Sequence, residues 1–190
     1  MSLKERLIRF RSFWMFPLIA ILLVYTAFRA EPERSYSELF RMIPFGIFLW
    51  TLLEYGLHRF VFHIQKPIRS ALIRGLVNAS HLNHHRDPRD PSKLLVKSLY
   101  GVVVSALLLG ILYAASQSLA MAAGVMTGIW AGFLYYEAVH YRVHFNLSNS
   151  PLISWQRRAH FYHHFSDSKR CFGVTSPLWD DVFGTTRPRR

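Results

Sequence analysis

The chain has 190 residues, of which 51% are apolar and 18% charged, with 23 Lys and Arg against 11 Asp and Glu for a net charge of +12. So apolar and yet so basic a composition argues against a soluble two-domain enzyme, and points instead to a membrane or a nucleic acid as the neighbour of the positive charge. The single cysteine, Cys171, excludes a disulfide framework and any Cys-rich zinc or iron–sulfur site.

In chain order, the first uncharged run extends from Ser12 to Phe28 between Arg11 and Arg29. Read as a secretory leader, it would be cleaved near Ala27-Phe28-Arg29-Ala30, but its bulky aromatics and Arg29 speak for a retained span. A capping box, Ser35-Tyr36-Ser37-Glu38, precedes a second apolar run, Met42 to Leu53, whose pattern continues toward His63. The third run, Ser98 to Tyr136, is about twice the roughly 20 residues that one crossing requires, and Ser116-Gln117-Ser118 at its middle predicts a helical hairpin. Four spans are therefore predicted, near 12–29, 40–58, 98–115 and 119–137. The Gly124-Gly128-Gly132 series, paired with Ala106-Gly110-Ala114, predicts close packing within the hairpin.

Lys and Arg number 4 in residues 1–12, 3 in 29–41, 8 in 58–97 and 8 in 137–190, so three of the four segments share one side with 20 basic residues against 3 opposite. That side is predicted to be cytoplasmic, with both termini on it. The expected fold is all-α: an integral membrane four-helix bundle forming one domain, with a cytosolic histidine-rich helical cap from 58–97 and 138–190. No RNA- or DNA-binding motif accompanies the charge, so nucleic acid is not an expected partner.

All ten histidines fall in four clusters near the predicted cytoplasmic helix ends: His58 and His63; His81, His84 and His85; His140 and His144; His160, His163 and His164. Residues three and four apart share a helix face, so the last three clusters are each expected to converge on a metal. His58 and His63 fit one ion poorly on an ideal helix, where five residues advance about 7.5 Å and turn about 140°. Either they serve two metals or the helix loosens between them. Ten imidazoles exceed the needs of a single ion and match two with four or five ligands each. There is no HExxH motif to support a zinc protease. Glu54, four residues before His58, and Glu137, three before His140, are expected to orient imidazole N–H groups, with Arg59 or Arg142 as alternative partners. Asp180 is a further candidate of this kind. Asp87 and Asp90, each before a proline, read as turn formers. Ser150-Pro151 reads as the start of a helix carrying His160, His163 and His164.

His81-Leu-Asn-His-His-Arg-Asp-Pro-Arg-Asp-Pro, the segment Tyr136-Glu-Ala-Val-His-Tyr-Arg-Val-His144, and His160-Phe-Tyr-His-His followed by Phe172-Gly-Val-Thr-Ser-Pro-Leu-Trp-Asp-Asp-Val-Phe-Gly-Thr185 resemble the fatty acid hydroxylase/sterol desaturase superfamily over roughly residues 45–186. Within it the sequence is most similar to fatty acid 2-hydroxylases, although Lys97-Ser98 stands where those enzymes often have a Pro pair. The resemblance implies a membrane-embedded dinuclear centre ligated by all ten histidines, two iron ions in the active enzyme with zinc as a substitute in a purified sample, and O2 as co-substrate for oxidation of a lipid C–H bond. Hydroxylation of a fatty acyl chain is the first expectation, and desaturation, sterol-type oxidation or carotenoid hydroxylation the enzymatic alternatives. A membrane metal carrier or sensor is the non-enzymatic one. No cytochrome b5 domain, GxGxxG, P-loop or Cys-rich cluster lies within these residues, so electrons are expected from an external ferredoxin or cytochrome with its reductase.

Overall fold

The computed structural model describes residues 10–33, 36–64, 69–96, 98–145 and 150–188. Every regular element among them is helical: α1 (Ser12–Ala30); α2 (Tyr36–Gly56), continued by a π-helical segment, Leu57–Phe62; α3 (Ala71–Val77), a second π-helical segment, Asn78–Leu82, and α4 (Asn83–Arg86); α5 (Ser98–Ser116); α6 (Leu119–Phe145); α7 (Pro151–Phe165); and α8 (Leu178–Val182). The proposed Ser35 capping box lies partly outside the described residues; α2 begins beside it at Tyr36.

Among the described residues, three helices are long and apolar enough to cross a membrane: α1, α5 and α6. α2 has 21 residues, but Glu38, Arg41, Pro44 and Glu54 lower its apolarity, and it is not among the three.

The described parts of Met1–Trp50 and Lys97–Leu134 form one compact unit, and those of Thr51–Val96 and Tyr135–Arg190 another. In the first, α6 is central: 67% of its apolar stretch is buried, against 11% for α1 and 6% for α5, whose Leu18, Ile21, Leu22, Leu107 and Ile111 face outward. Apolar side chains on the outside of helices are what lipid contact requires. Phe16 of α1 inserts edge-on against Phe133 and beside Trp130, and the Trp130 indole donates to Ser105 of α5 at 2.8 Å.

The small residues of α6 pack, but not on the helix that the sequence suggested. A Cβ at Gly124, Gly128 or Gly132 would strike Leu39, Ile43 and Gly46, or Trp50 of α2, whereas Gly110 of α5 has open space around it. Gly46 meets Gly128 backbone to backbone. The expected α5 partnership is thus corrected: glycine on both helices is what permits the α2–α6 approach. The reversal at Ser116-Gln117-Ser118 is as expected, with Gln117 at φ 51°. Glu31 then caps α6, accepting from the amides of Leu119 (2.6 Å) and Ala120 (3.2 Å) and from the Ser118 hydroxyl (3.0 Å), a carboxylate at the positive end of the helix.

Candidate metal centre

All ten histidines lie in the second unit, and their positions follow from local helix geometry. After Gly56 the helix widens, and the His63 amide donates to the His58 carbonyl at 3.1 Å, an i to i+5 bond. That register stacks residues five apart, so the loosened-helix option is the one realised: His58 and His63 belong to one group. The second π-helical segment carries His81 into α4. Pro151 opens α7, as expected from Ser150-Pro151.

The imidazoles form two sets, His58, His63, His81, His85 and His163, and His84, His140, His144, His160 and His164, with the ligand atoms of each set within 4.8 Å of one another. The sets adjoin, His85 of the first stacking on His164 of the second with ring centroids 4.0 Å apart. This corrects the expectation that each HX2HH cluster serves one ion. His81 and His85 stay together while His84 joins the other set, and His160 and His164 stay together while His163 crosses over. In both boxes the i,i+4 pair shares a set; the i+3 residue, rotated about 100° from its i+4 neighbour, faces the other.

Nitrogen separations test whether the sets suit metal. His63 Nε2 has the Nε2 atoms of His85, His81 and His163 at 3.1, 3.2 and 3.0 Å, and His58 Nε2 lies 3.0 Å from that of His81. In the second set His144 Nε2 lies 3.1 Å from His84 and 2.9 Å from His160, which lies 3.0 Å from His164. One ring nitrogen has one proton or one lone pair, so hydrogen bonding cannot satisfy three neighbours at once. At an imidazole–metal distance of about 2.1 Å, separations of 2.9–3.2 Å subtend about 87–99°, whereas a tetrahedral site would require about 3.4 Å. Separations of this size suit imidazoles that share an ion, and five donors in each set exceed the four of a closed structural zinc site. The His140 Nε2, buried without a hydrogen-bond partner, completes the second set.

Tautomers are fixed from outside. His58 Nδ1 donates to the Phe172 carbonyl at 2.5 Å and His163 Nδ1 to the Arg170 carbonyl at 2.7 Å; because a carbonyl can only accept, each ring keeps its Nε2 lone pair for the cluster. Burial lowers the basicity of the imidazoles outside the spans: His63 and His84 fall to about 4, His163 to about 3 and His85 to about 2, the last two also through neighbouring histidines. Burial first, then adjoining imidazoles, likewise lowers His81, His160 and His164. Near neutral pH these rings are uncharged donors.

The acidic candidates act through the backbone. Glu54 accepts from the amides of Val174 (2.6 Å) and Thr175 (2.9 Å) and from the Thr175 hydroxyl (2.5 Å), while the His58 Nδ1 that it was expected to meet is taken by Phe172. Glu137 accepts from the Val96 amide at 3.1 Å. Asp180 accepts from the amides of Phe172 (3.0 Å) and Gly173 (2.7 Å) and from the Thr185 hydroxyl (2.7 Å). Together Glu54 and Asp180 clamp the loop whose Phe172 carbonyl orients His58 and whose Phe172 ring packs against His58, His63 and His163. Arg59 donates to the Tyr55 hydroxyl, which meets Thr185. Asp87 and Asp90 hold Lys93, and Asp90 bonds Ser92, within the turn expected of them. The Phe172 and Arg170 carbonyls were not foreseeable, because a backbone acceptor has no side-chain signature; Thr185 was marked only by its place in the tail motif.

The family model for fatty acid hydroxylase matches residues 43–185. Fatty acid 2-hydroxylase from Homo sapiens is 32% identical over 176 residues, covering 88% of this chain and 45% of its own length. Dihydroceramide fatty acyl 2-hydroxylase FAH2 from Arabidopsis thaliana is 31% identical over 174 residues, covering 90% of this chain and 72% of its own. The solved structure of full-length scs7p, in which only the hydroxylase domain is visible, is similar with a TM-score of 0.79 and 29% identity over 92% of this chain and 66% of that one. The chain spans less than half the length of the human relative.

Proposed function

The chain belongs to the fatty acid hydroxylase family, and from that premise we propose that it is an O2-dependent hydroxylase of a lipid C–H bond, acting on a fatty acyl chain at a di-iron centre. The observation that carries the proposal is the gathering of ten imidazoles into two five-membered sets whose Nε2 atoms stand about one metal-ligand edge apart. His58, His63, His81, His85 and His163 would hold one iron, and His84, His140, His144, His160 and His164 the other. Two irons with O2 would supply the oxidising power that breaking an unactivated alkyl C–H bond demands, which redox-inert zinc on the same ligands would not.

The protein's own part is to present neutral, aimed donors. Burial keeps the rings unprotonated, and the carbonyls of Phe172 and Arg170 hold the Nδ1 protons of His58 and His163 away from the metals. Asp180 and Glu54 fix the loop bearing the first of these carbonyls, and Glu137 fixes the chain at Val96.

The topology proposed with this activity is multi-pass: α1, α2, α5 and α6 span the membrane as one oxygenase domain, and 58–97 and 138–190 form a cap on the cytoplasmic side together with both termini. The 20 basic residues assigned to that side support this orientation. Electrons would come from an external ferredoxin or cytochrome.

Expression in a lipid-rich host, followed by mass spectrometry of its lipids against a His84→Ala control, tests the activity. Acyl chains heavier by one oxygen atom are expected with the parent only. Identical profiles despite confirmed metal loading of the parent would refute it, and chains lighter by two hydrogens would turn the reading to desaturation.

A further inference from the structure

A second concentration of polar and aromatic side chains lies on α7, outside the histidine sets. Arg157, Arg158, Phe161, Tyr162 and Phe165, with Arg187 from the C-terminal segment, line an open groove of about 550 Å³. Two of the three guanidinium groups are set in place. Arg157 donates from Nε to the Val143 carbonyl at 2.9 Å and from Nη2 to the Arg142 carbonyl at 3.2 Å. Arg187 lies 5.6 Å over the Tyr162 ring. The segment is led there by bonds from the Cys171 amide to the Thr185 carbonyl (2.8 Å) and from Arg170 Nη1 to the Thr186 carbonyl (2.9 Å).

No acidic residue lines this groove. The carboxylate of Asp167, close in sequence, accepts from the Lys169 amide and pairs with Arg170. Three like charges thus border one groove, those of Arg157 and Arg187 held in place, an arrangement that an anion relieves. A guanidinium has five N–H donors, so Arg157 keeps three after its two backbone bonds, and Arg158 and Arg187 add planar forks suited to oxyanions. Phe161, Tyr162 and Phe165 make up most of the remaining wall, beside Ser166 and Pro188, and Phe165 is largely exposed, which suits a ligand charged at one end and apolar beyond it. The volume is within the small-ligand range of about 300–1,000 Å³, and the groove is largely open, so a ligand charged at one end can leave its apolar part outside.

We propose that this cleft binds the phosphate head group of an anionic membrane lipid. The proposal does not depend on the hydroxylase reading. It does have a bearing on it, since the Phe161 ring packs 5.6 Å from that of His144 and so places the cleft one side chain from the second histidine set.

The test uses the full chain in neutral detergent, with native mass spectrometry counting adducts as phosphatidylglycerol or phosphatidylcholine is added. The Arg158→Gln/Arg187→Gln double variant is compared with Arg86→Gln/Arg89→Gln, which removes the same charge elsewhere, and with Arg158→Glu alone, a change at an exposed position. Phosphatidylglycerol is expected to bind the parent in preference to phosphatidylcholine, and to lose about tenfold or more in affinity in both cleft variants but not in the control pair. Equal losses in cleft and control variants, or no preference between the lipids, would overturn the proposal. Displacement by inorganic phosphate as tightly, mole for mole, would overturn it in favour of a soluble oxyanion. Binding of an acidic redox protein that disappears in the cleft variants, with phosphatidylglycerol unaffected, would overturn it in favour of a protein dock.

Discussion

Asp180 holds the loop whose Phe172 carbonyl orients His58. It is buried at 2% exposure and accepts three hydrogen bonds, two of them from the consecutive amides of Phe172 and Gly173. Asp180→Ala removes the acceptor and leaves both amides buried. At about 1–3 kcal/mol for each unsatisfied donor, the loop faces about 2–6 kcal/mol of local penalty unless it shifts to find water. A shift draws the Phe172 carbonyl off His58 Nδ1, and loss of such an outer partner typically weakens a metal site about 10–100-fold. Because His58 belongs to only one set, the loss should be confined to one of two sites. Chelator competition on iron-loaded protein should show one tight and one weakened site, and Mössbauer spectra of enriched iron should show one component changed and the other retained. Asp180→Asn, which keeps one acceptor oxygen, should fall between parent and Ala. The reasoning is refuted if Asp180→Ala holds both metals as the parent does, or if both sites fail together, which would make the residue merely structural.

His84→Ala and His85→Ala, adjacent in sequence, should each reduce bound metal from two ions toward one but deplete different sites, which the same two Mössbauer components distinguish. Gly128→Ala should destabilise by about 1–3 kcal/mol or more, because its Cβ would strike the Ile43 carbonyl and Gly46 across the α2–α6 contact, while Gly110→Ala, with open space around it, should leave the melting temperature in detergent unchanged or slightly raised. The metal-free protein should lose stability as pH falls from about 6.5 toward 4: His63 and His84 stay neutral when folded down to about 4 but take up protons near 6.5 when unfolded, so the unfolded state binds more protons throughout that window. A melting temperature that rises on acidification there would contradict the assignment.

Periodicity and length revealed the helices because those signals are local. The predicted spans at 12–29, 98–115 and 119–137 correspond to α1, α5 and α6 within a residue or so at their starts, and the reversal falls at Gln117. α6 continues to Phe145, since the histidine box His140–His144 is itself helical and its i,i+4 spacing gives no sign of where apolarity should end. What escaped was set by distant parts of the chain. The glycines of α6 announced a close neighbour but not which one, since α5 and α2 both offer small residues, and only Gly46 lies opposite Gly128. Likewise Glu54 was rightly marked as a buried acid in need of partners, but the α-helical register that aimed it at His58 says nothing of Val174 and Thr175, some 120 residues away in sequence.

The histidine boxes show how one spacing serves two sets of imidazoles. An HX2HH run on a helix has two neighbouring rings about 100° apart, more than one ion can accept from so short an arc, so the run suits a position between two ions. Both such boxes here divide in the same way, two rings to one set and one to the other, and in opposite senses: 81–85 gives its pair to the first set, 160–164 to the second. Each box therefore supplies the ring that the other's pair lacks, which leaves two places in the first set and two in the second. His140 and His144, four apart on an α-helix, fill the second. His58 and His63, five apart, fill the first only because the chain between them is π-helical, and a one-residue deletion there, restoring α-helical register, should cost the first site while sparing the second.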